Sequence, residues 1–166
     1  MFFKKLYSSN APATSKVQEY LDNIPFDLTL SVEQMEKCEG MLTEEEYQGA
    51  LSTLKNNKSP GTDGLTVEFY RTFWEDVKTI FMNAIEKSYN EGELSTSQRR
   101  AIITLLYKKG DRTSLKNWRP ISLLNIDYKI AAKALAIRLS KVIGSIINED
   151  QSGYLKGQQI NTRETD

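Results

Sequence analysis

Two short apolar runs favour β-structure in a chain whose other patterns are helical, and this contrast limits what the chain can fold into. Residues 102–107 and 119–124 are rich in β-favouring side chains and are separated by a turn-forming stretch. They predict an antiparallel hairpin with a long basic tip formed by residues 108–118. Pro120 cannot donate to a hydrogen-bonded ladder, so we expect it at the start of a strand or on an edge.

Capping motifs mark the first two helical segments. A Ser-x-x-Gln motif at 31–34 predicts a short helix that stops at Gly40. A Thr-x-x-Glu capping box at 43–46 predicts a second helix that ends in residues 55–58. The apolar positions of this second helix, including the two staple positions beside the box, are Leu42, Tyr47, Ala50, Leu51 and Leu54.

The next segments predict a turn and two longer helices. Residues 59–64, Ser-Pro-Gly-Thr-Asp-Gly, must form a turn. A single long helix with an apolar core stripe should follow and end at Gly92. Asn125 or Asp127 then caps a helix that runs through Ile147. The stripe of the first long helix is Phe69, Tyr70, Phe73, Trp74, Val77, Ile80, Phe81, Ala84 and Ile85. The inward positions of the second are Ala131, Ala134, Leu135, Leu139, Val142, Ile143 and Ile146.

These patterns give an α+β fold class, predominantly helical with a small antiparallel hairpin. The length of 166 residues suits one domain, preceded by a leader or linker over residues 1–41 with breakers at 10–12 and 23–25. Residues 148–153 predict a loop. No apolar run approaches the ~20 residues of a membrane span, and the opening residues lack the apolar core of a secretory signal. We therefore expect no membrane partner and no secretion.

The composition excludes several kinds of site. The chain has no histidine and one cysteine, Cys38, which excludes Ser-His-Asp and Cys-His catalysis, His-ligated zinc, an intrachain disulfide and thiolate clusters. A lone cysteine on a charged segment predicts an inert reduced thiol and a reducing compartment, cytoplasm or nucleus. No catalytic or metal-binding residue is predicted.

The net charge of zero hides a strong polarity along the chain. Residues 15–50 contain two bases and nine acids, whereas residues 99–145 contain eleven bases and two acids. This asymmetry indicates an anionic partner for the second half, nucleic acid or nucleotide first. The alternative is that the two halves attract each other within one fold.

The densest group of cations lies between residues 99 and 119 and faces a single acid, Asp111. On a hairpin we expect these cations to converge on the projecting tip, where Lys109 and Arg119 on opposite sides could clamp a triphosphate. Closely spaced phosphate oxygens require charge-assisted hydrogen bonds of the kind that Arg and Lys donate. The alternative is a solvated loop with unengaged cations. The group is Arg99, Arg100, Lys108, Lys109, Arg112, Lys116 and Arg119.

Four ordered motifs place the chain near a known family. They are residues 58–64 with 68–70 and 73–74; residues 103–111; residues 115–125 with 127–130; and residues 150–154 with 156–157. In this order and spacing they closely resemble the reverse transcriptase of LINE-type (non-long-terminal-repeat) retrotransposons over roughly residues 42–160.

The resemblance implies part of a right-hand polymerase. Residues 1–41 are similar to the linker between endonuclease and polymerase, and residues 42–166 to a truncated fingers region from which palm and thumb are absent. It implies that Lys109, with Lys108 as the less certain neighbour, and Arg119 contact the phosphates of the incoming nucleotide. The residues expected at nucleic acid are Lys58, Gly61, Gly64, Arg99, Arg100, Arg112 and Lys116. A purely structural role for the glycine turn is the alternative.

The resemblance also implies what the chain lacks. The family holds two metal ions with an Asp beyond the Gln-Ser-Gly motif and with a later Tyr-x-Asp-Asp turn, but this chain has no Asp-Asp pair. Its adjacent acids at 75–76 and 149–150 fall on a helix and in a loop, and Asp166 matches neither motif. We therefore expect no cofactor and no activity in this chain alone. RNA template, deoxynucleotide triphosphates and Mg²⁺ are expected for the parent enzyme, and its palm is the expected packing partner. The alternatives are a non-catalytic RNA- or nucleotide-binding module and an inert remnant.

Overall fold

The computed structural model describes residues 14–22 and 29–147, and it is mostly helical with one two-stranded antiparallel sheet, which confirms the predicted α+β class. Its helices and strands are α1 Thr14–Asp22, α2 Val32–Cys38, α3 Glu44–Thr53, α4 Val67–Thr72, α5 Trp74–Glu91, β1 Ala101–Tyr107, β2 Trp118–Leu124 and α6 Ile126–Ser140. Single 3-10 turns form at Leu115–Asn117 and Ile143–Ser145.

Some predictions concern residues outside the described ranges. They are the breakers at 10–12 and 23–25, the loop at 148–153, the motif at 150–157, the acids at 149–150 and Asp166. Helix α1 lies within the predicted leader, and the sequence patterns predict no helix over residues 14–22.

Both predicted capping boxes form. The Ser31 hydroxyl accepts from the Gln34 N–H at 3.2 Å, and the Gln34 amide oxygen accepts from the Ser31 N–H at 2.9 Å. Thr43 and Glu46 make the same reciprocal pair, at 3.3 and 2.9 Å. Each box satisfies two backbone donors that the first turn of a helix leaves free, so α2 and α3 start where the sequence predicts. Gly40 follows α2 with a φ of 78°.

The core lies where α3 and α5 meet α6. Tyr47 of α3 is buried and packs edge-on against Phe81 of α5, with ring centroids 5.0 Å apart. Ile126 and Ile130 of α6 are almost fully buried in the same cluster, beside Ala50 of α3. This burial of aromatic and branched side chains stabilises the helical part of the molecule.

The prediction of a single long helix after the turn is wrong, because the chain divides at Phe73 into α4 and α5. Phe73 has φ −109° and ψ 22°, which is not a helical conformation. Its N–H donates to the Phe69 carbonyl at the end of α4, and its carbonyl accepts from the Val77 N–H at the start of α5. The apolar period continues through this residue, so the pattern does not reveal the break. The predicted C-cap at Gly92 is confirmed, with φ 67°.

The stripe of that segment is only partly core. Tyr70, Trp74 and Phe81 are buried, whereas Phe73 and Ile80 are 46% and 73% exposed. Ala84 of the same stripe is exposed as well, and the described residues do not cover these three side chains closely enough to bury them. The prediction that the stripe is core is therefore wrong for Phe73, Ile80 and Ala84.

Helix α6 also differs from its prediction. It ends at Ser140 rather than Ile147, and Leu135 and Leu139 are 55% and 46% exposed. Arg138, not a leucine, takes the inward position at the last turn. Asn125 does precede the helix, but its side chain makes no capping bond, and Asp127, the other predicted cap, lies inside the first turn.

Arg138 joins three segments. Its Nε donates to Glu46 Oε1 at 2.8 Å and its Nη2 to Glu46 Oε2, so the pair is bidentate. Its remaining donors reach the carbonyls of Gly40 at 2.8 Å and Met41 at 3.0 Å. One buried guanidinium therefore ties the end of α6 to the start of α3 and to the loop between α2 and α3.

Replacing Arg138 by methionine should strongly destabilise the fold. The variant removes the Arg138 donors from the carbonyls and from Glu46, which keeps the Thr43 N–H, and we expect the free energy of unfolding to fall by about 3 kcal/mol, the low end for buried pairs because the Glu46 side chain keeps 23% exposure. Urea denaturation followed by circular dichroism measures it. The control Lys37→Met breaks an exposed pair with Glu33 and should leave the midpoint nearly unchanged. Equal midpoints for both variants would contradict the role assigned to Arg138.

The same pair predicts a pH dependence of stability. The hydrogen bond from Arg138 lowers the pKa of Glu46 below its ordinary value. A carboxyl group with a lowered folded-state pKa contributes stability above its unfolded-state pKa, and this contribution disappears as pH falls through the folded-state pKa. Stability should therefore fall in acid more steeply for the wild type than for Glu46→Gln, as measured by urea midpoints from pH 7 downward. Parallel pH profiles would refute it.

Candidate nucleic-acid interface

The hairpin provides the frame of the candidate interface. Strands β1 and β2 pair in one register, from Ala101 opposite Leu124 to Tyr107 opposite Trp118. Both strands are edges of a two-stranded sheet, so the position of Pro120 in β2 agrees with the prediction of an edge.

The tip of the hairpin is the loop of residues 108–117, and a backbone hydrogen bond between its first and last residues closes it. The Lys108 N–H donates to the Asn117 carbonyl at 2.8 Å, which extends the pairing one residue beyond the ladder. Gly110 turns the chain with a φ of 92°, and a Cβ at this position would lie 2.8 Å from the Asn117 amide nitrogen. The loop is therefore closely packed around Gly110.

The single acid of the tip is held by its own loop. Asp111 accepts from the Thr113 N–H at 2.9 Å and from the Thr113 hydroxyl at 2.7 Å, and its carbonyl accepts from the Asn117 amide at 2.8 Å. The hydrogen bonds from Thr113 lower the pKa of Asp111, so the carboxylate stays ionised. It forms no ion pair with a cation among the described residues, and the tip keeps a strong positive charge.

An aromatic pair closes the tip. The rings of Tyr107 and Trp118 lie 5.4 Å apart at an interplanar angle of 62°, and the Arg112 guanidinium lies 4.8 Å from the Tyr107 ring centroid. The Trp118 indole N–H donates to the Arg112 carbonyl at 2.9 Å. Arg112 is therefore engaged in folding the tip, and its contact with nucleic acid stays a prediction.

The other cations of the tip are exposed and available. Lys108, Lys109, Lys116 and Arg119 make no side-chain hydrogen bond or ion pair within the described part of the chain. Arg119 pairs with Leu106, and side chains alternate along a strand, so Lys108 follows Leu106 on the face that carries Arg119. This register favours Lys108 as the strand neighbour of Arg119, whereas the clamp by Lys109 stays a prediction.

Two predicted members of the cationic tip lie elsewhere. Arg99 and Arg100 immediately precede β1, at the opposite end of the hairpin from the tip. Seven strand residues at about 3.3 Å each separate the two ends by roughly 20 Å. Arg99 also forms an ion pair with Glu93. The prediction that all seven cations converge on the tip is therefore wrong, because Arg99 and Arg100 form a second group at the base.

The Ser-Pro-Gly-Thr-Asp-Gly turn at residues 59–64 lies against that base. Gly61 is buried, and a Cβ there would lie 2.1 Å from Asn125 Oδ1 and 2.6 Å from the Leu124 carbonyl carbon. Gly64 is exposed and has a φ of 73°, which glycine adopts readily. The geometry supports the structural alternative for Gly61. Lys58, just before the turn, is exposed and unpaired within the described residues.

Asn125 has a role that the sequence patterns did not reveal. It is 1% exposed and accepts from the Thr62 N–H at 2.7 Å and from the Thr62 hydroxyl at 3.2 Å. An asparagine before a helix predicts a cap, and no sequence signal indicated this contact over 63 positions.

Acidic groups do not assemble into a metal site in the described ranges 14–22 and 29–147, where no three His, Cys, Asp or Glu side chains lie close enough to hold an ion. Glu75 instead pairs with Lys78 at 2.7 Å, and Cys38 is half-buried.

Across the same residues, no helix has the length and apolar character that crossing a bilayer requires.

Sequence comparison links this architecture to mobile elements. The chain is 40% identical over 159 residues to the Transposon TX1 uncharacterized 149 kDa protein of Xenopus laevis, a match that includes 96% of the chain. It is 29% identical over 116 residues, 69% of the chain, to the Retrovirus-related Pol polyprotein from type-1 retrotransposable element R2 of Popillia japonica. The chain is a relative of non-long-terminal-repeat retrotransposon proteins. No protein-family model matches it.

This retrotransposon relative corresponds to a small part of those proteins. It spans 12% of the length of the Xenopus protein and 15% of the length of the Popillia polyprotein. The match of 96% of the chain to the Xenopus protein includes both the helical core and the hairpin.

The packing at Gly61 predicts a sharp difference between two glycines. Gly61→Ala should destabilise the fold by about 2 kcal/mol, since the new methyl group would overlap Asn125. Gly49 lies in α3, and a methyl group added there would meet no atom within 4 Å, so Gly49→Ala should stabilise by about 0.5–1 kcal/mol. Thermal unfolding of both variants measures the difference. A neutral Gly61→Ala would show that the turn does not press on Asn125.

Proposed function

We propose that the chain is the fingers portion of a retrotransposon reverse transcriptase, an RNA-directed DNA polymerase, and that its hairpin tip binds the phosphates of a nucleotide or of RNA. The observation that carries the proposal is the exposed cation group on a closely packed hairpin tip, whose one acid is bonded to Thr113. The name of the Popillia relative, a Pol polyprotein, supports the same direction.

The chemistry of the tip suits polyphosphate. Arg119 offers a planar two-pronged donor, and the lysines at 108, 109 and 116 offer mobile point charges. The loop is already fixed by hydrogen bonds around Asp111 and by the Tyr107–Trp118 pair. Little backbone conformational entropy is therefore lost when an anion binds.

The exposed apolar residues of the hairpin favour a fingers portion over a free-standing binding module. Ile103 is 69% exposed and Leu106 is 56% exposed, and strand alternation places them on opposite faces. A two-stranded hairpin with apolar faces open to water is marginal by itself. We propose that further parts of a polymerase, the palm first, cover these faces, and that the chain alone does not extend a primer.

RNA binding by the chain should be strong at low salt and should weaken steeply as salt rises. For a single strand, log K falls with log salt at about −0.7 per neutralised phosphate. Arg119→Ala should lower the affinity for a single-stranded RNA by roughly tenfold or more, the range for charge-assisted hydrogen bonds, and should make the salt slope shallower. Fluorescence anisotropy from about 25 to about 200 mM salt, a range over which such contacts weaken markedly, measures both quantities.

Lys37→Ala is the matched control for that experiment, because Lys37 is already paired with Glu33 on α2. It should change neither affinity nor slope. The proposal fails if RNA does not bind at low salt, or if the two variants behave alike. Template-dependent nucleotide incorporation by the chain alone would contradict the proposed lack of activity.

A further inference from the structure

A pocket of about 270 Å³ lies beside the base of the hairpin, between α4, α5 and the first turn of α6. Its walls are mainly apolar and include Phe69 of α4 and Ile80 of α5. Its polar groups come from Tyr70, Gln98 and Asp127, and within the described part of the chain no lysine or arginine lines it. The pocket therefore combines apolar walls with a carboxylate.

The carboxylate of Asp127 is held in place and keeps acceptor positions free. Its Oδ2 accepts from the Gln98 amide at 3.1 Å, and its Oδ1 accepts from the Tyr128 N–H at 2.6 Å. Gln98 is 3% exposed, and its own amide oxygen accepts from the Ser95 N–H at 3.2 Å, which fixes the donor to Asp127. Because a carboxylate oxygen has two lone pairs, each oxygen of Asp127 can accept one more hydrogen bond.

The Tyr70 hydroxyl is a second polar group without a partner. Tyr70 is only 7% exposed, and its hydroxyl makes no hydrogen bond to any residue in the ranges 14–22 and 29–147. Burial raises the pKa of Tyr70, and the negative charges of Asp127 and Asp63 raise it further, so the hydroxyl lies near both carboxylates. A polar group in a largely buried side chain is stabilised when a ligand bonds to it.

A guanidinium on an apolar stem fits both parts of this pocket. Its planar N–H groups can donate to the two Asp127 oxygens and to the Tyr70 oxygen, and its face suits contact with the Phe69 ring. The volume is below the roughly 300–1,000 Å³ of pockets for whole small-molecule ligands, so it suits a single side chain. The chain spans 12% of the length of the Xenopus relative, so a protein of that kind has much further sequence to supply one.

We propose that this pocket receives one arginine side chain from a segment of the parent retrotransposon protein that lies outside this chain. The guanidinium pairs with Asp127 and donates to the Tyr70 hydroxyl, and the stem packs against the apolar wall. The inference rests on the proposed function only in that the chain is one portion of a larger protein. It does not need the hairpin tip to bind nucleic acid, because the pocket and the tip share no residue.

Two capped dipeptides test the inference on the whole chain. Acetyl-leucyl-arginine amide carries the guanidinium, and acetyl-leucyl-citrulline amide has nearly the same shape without the charge. In an NMR titration the arginine dipeptide should shift the amide resonances of Phe69 and Gln98 and should bind about tenfold or more tightly than the citrulline dipeptide. The absence of any shift at about 10 mM arginine dipeptide would overturn the inference.

Three variants assign the binding to this pocket. Asp127→Asn should weaken binding of the arginine dipeptide by about tenfold or more, the range for charge-assisted hydrogen bonds. Glu86→Gln removes one exposed carboxylate from α5 and is the matched control, so it should leave the affinity unchanged. Tyr70→Phe should weaken binding several-fold without lowering the unfolding midpoint, because the lost hydroxyl has no partner among the described residues. This variant decides the test if Asp127→Asn does not fold.

The other outcomes separate this inference from its rivals and from the proposed function. Equal effects of Asp127→Asn and Glu86→Gln indicate a general electrostatic attraction and overturn it. Methylguanidine that binds as tightly as the arginine dipeptide assigns the pocket to a small molecule. Dipeptide binding to Arg163→Gln but not to the wild type assigns it to the last residues of this chain, and either result overturns the inference. RNA binding at the tip should be the same in Tyr70→Phe and the wild type, so failure here leaves the proposed function standing.

Discussion

The close contact between Gly61 and Asn125 is where the helical part of the molecule meets the hairpin. The turn before α4 presses on the junction between β2 and α6, and the missing side chain of Gly61 is what allows the two backbones to approach. Hydrogen bonds add to this junction, because the Asn125 amide donates to the Ser97 carbonyl at 3.3 Å and the Gln98 amide donates to Asp127 Oδ2 at 3.1 Å. The hairpin is therefore joined to the helices by close packing together with buried amide hydrogen bonds.

Stability is unevenly distributed across this junction. The helices bury Tyr47, Ile126 and Ile130 in a shared core, and Arg138 seals one end of it with a bidentate pair to Glu46. The hairpin contributes almost nothing to that core and is held together mainly by its own ladder and tip. The apolar side chains of the hairpin are exposed to solvent among the described residues. This arrangement suits a hairpin whose faces are buried by contacts with other parts of a larger protein.

Local signals were the part of the fold that could be predicted from the sequence. Capping boxes at 31–34 and 43–46 and the β-rich runs of the hairpin depend on neighbouring residues, so their patterns can be recognised in the sequence alone. The break at Phe73 and the outward turn of Leu135 depend instead on which neighbouring surface is present to be packed against. Periodicity cannot show this, because a helix can be apolar on a face that has no partner in the chain.

The candidate site also has one part that local sequence predicts and one part that depends on contacts between distant residues. Charge density indicated the tip, and the register bears out that residues 108–119 project together, because adjacency on a hairpin follows from sequence alone. The contact across 63 positions between Thr62 and Asn125, by contrast, has no local signal in the sequence. The cations of the tip are neighbours along one hairpin, whereas the junction between hairpin and helices depends on Gly61 packing against Asn125, and a pattern of residue types cannot show such a packing contact.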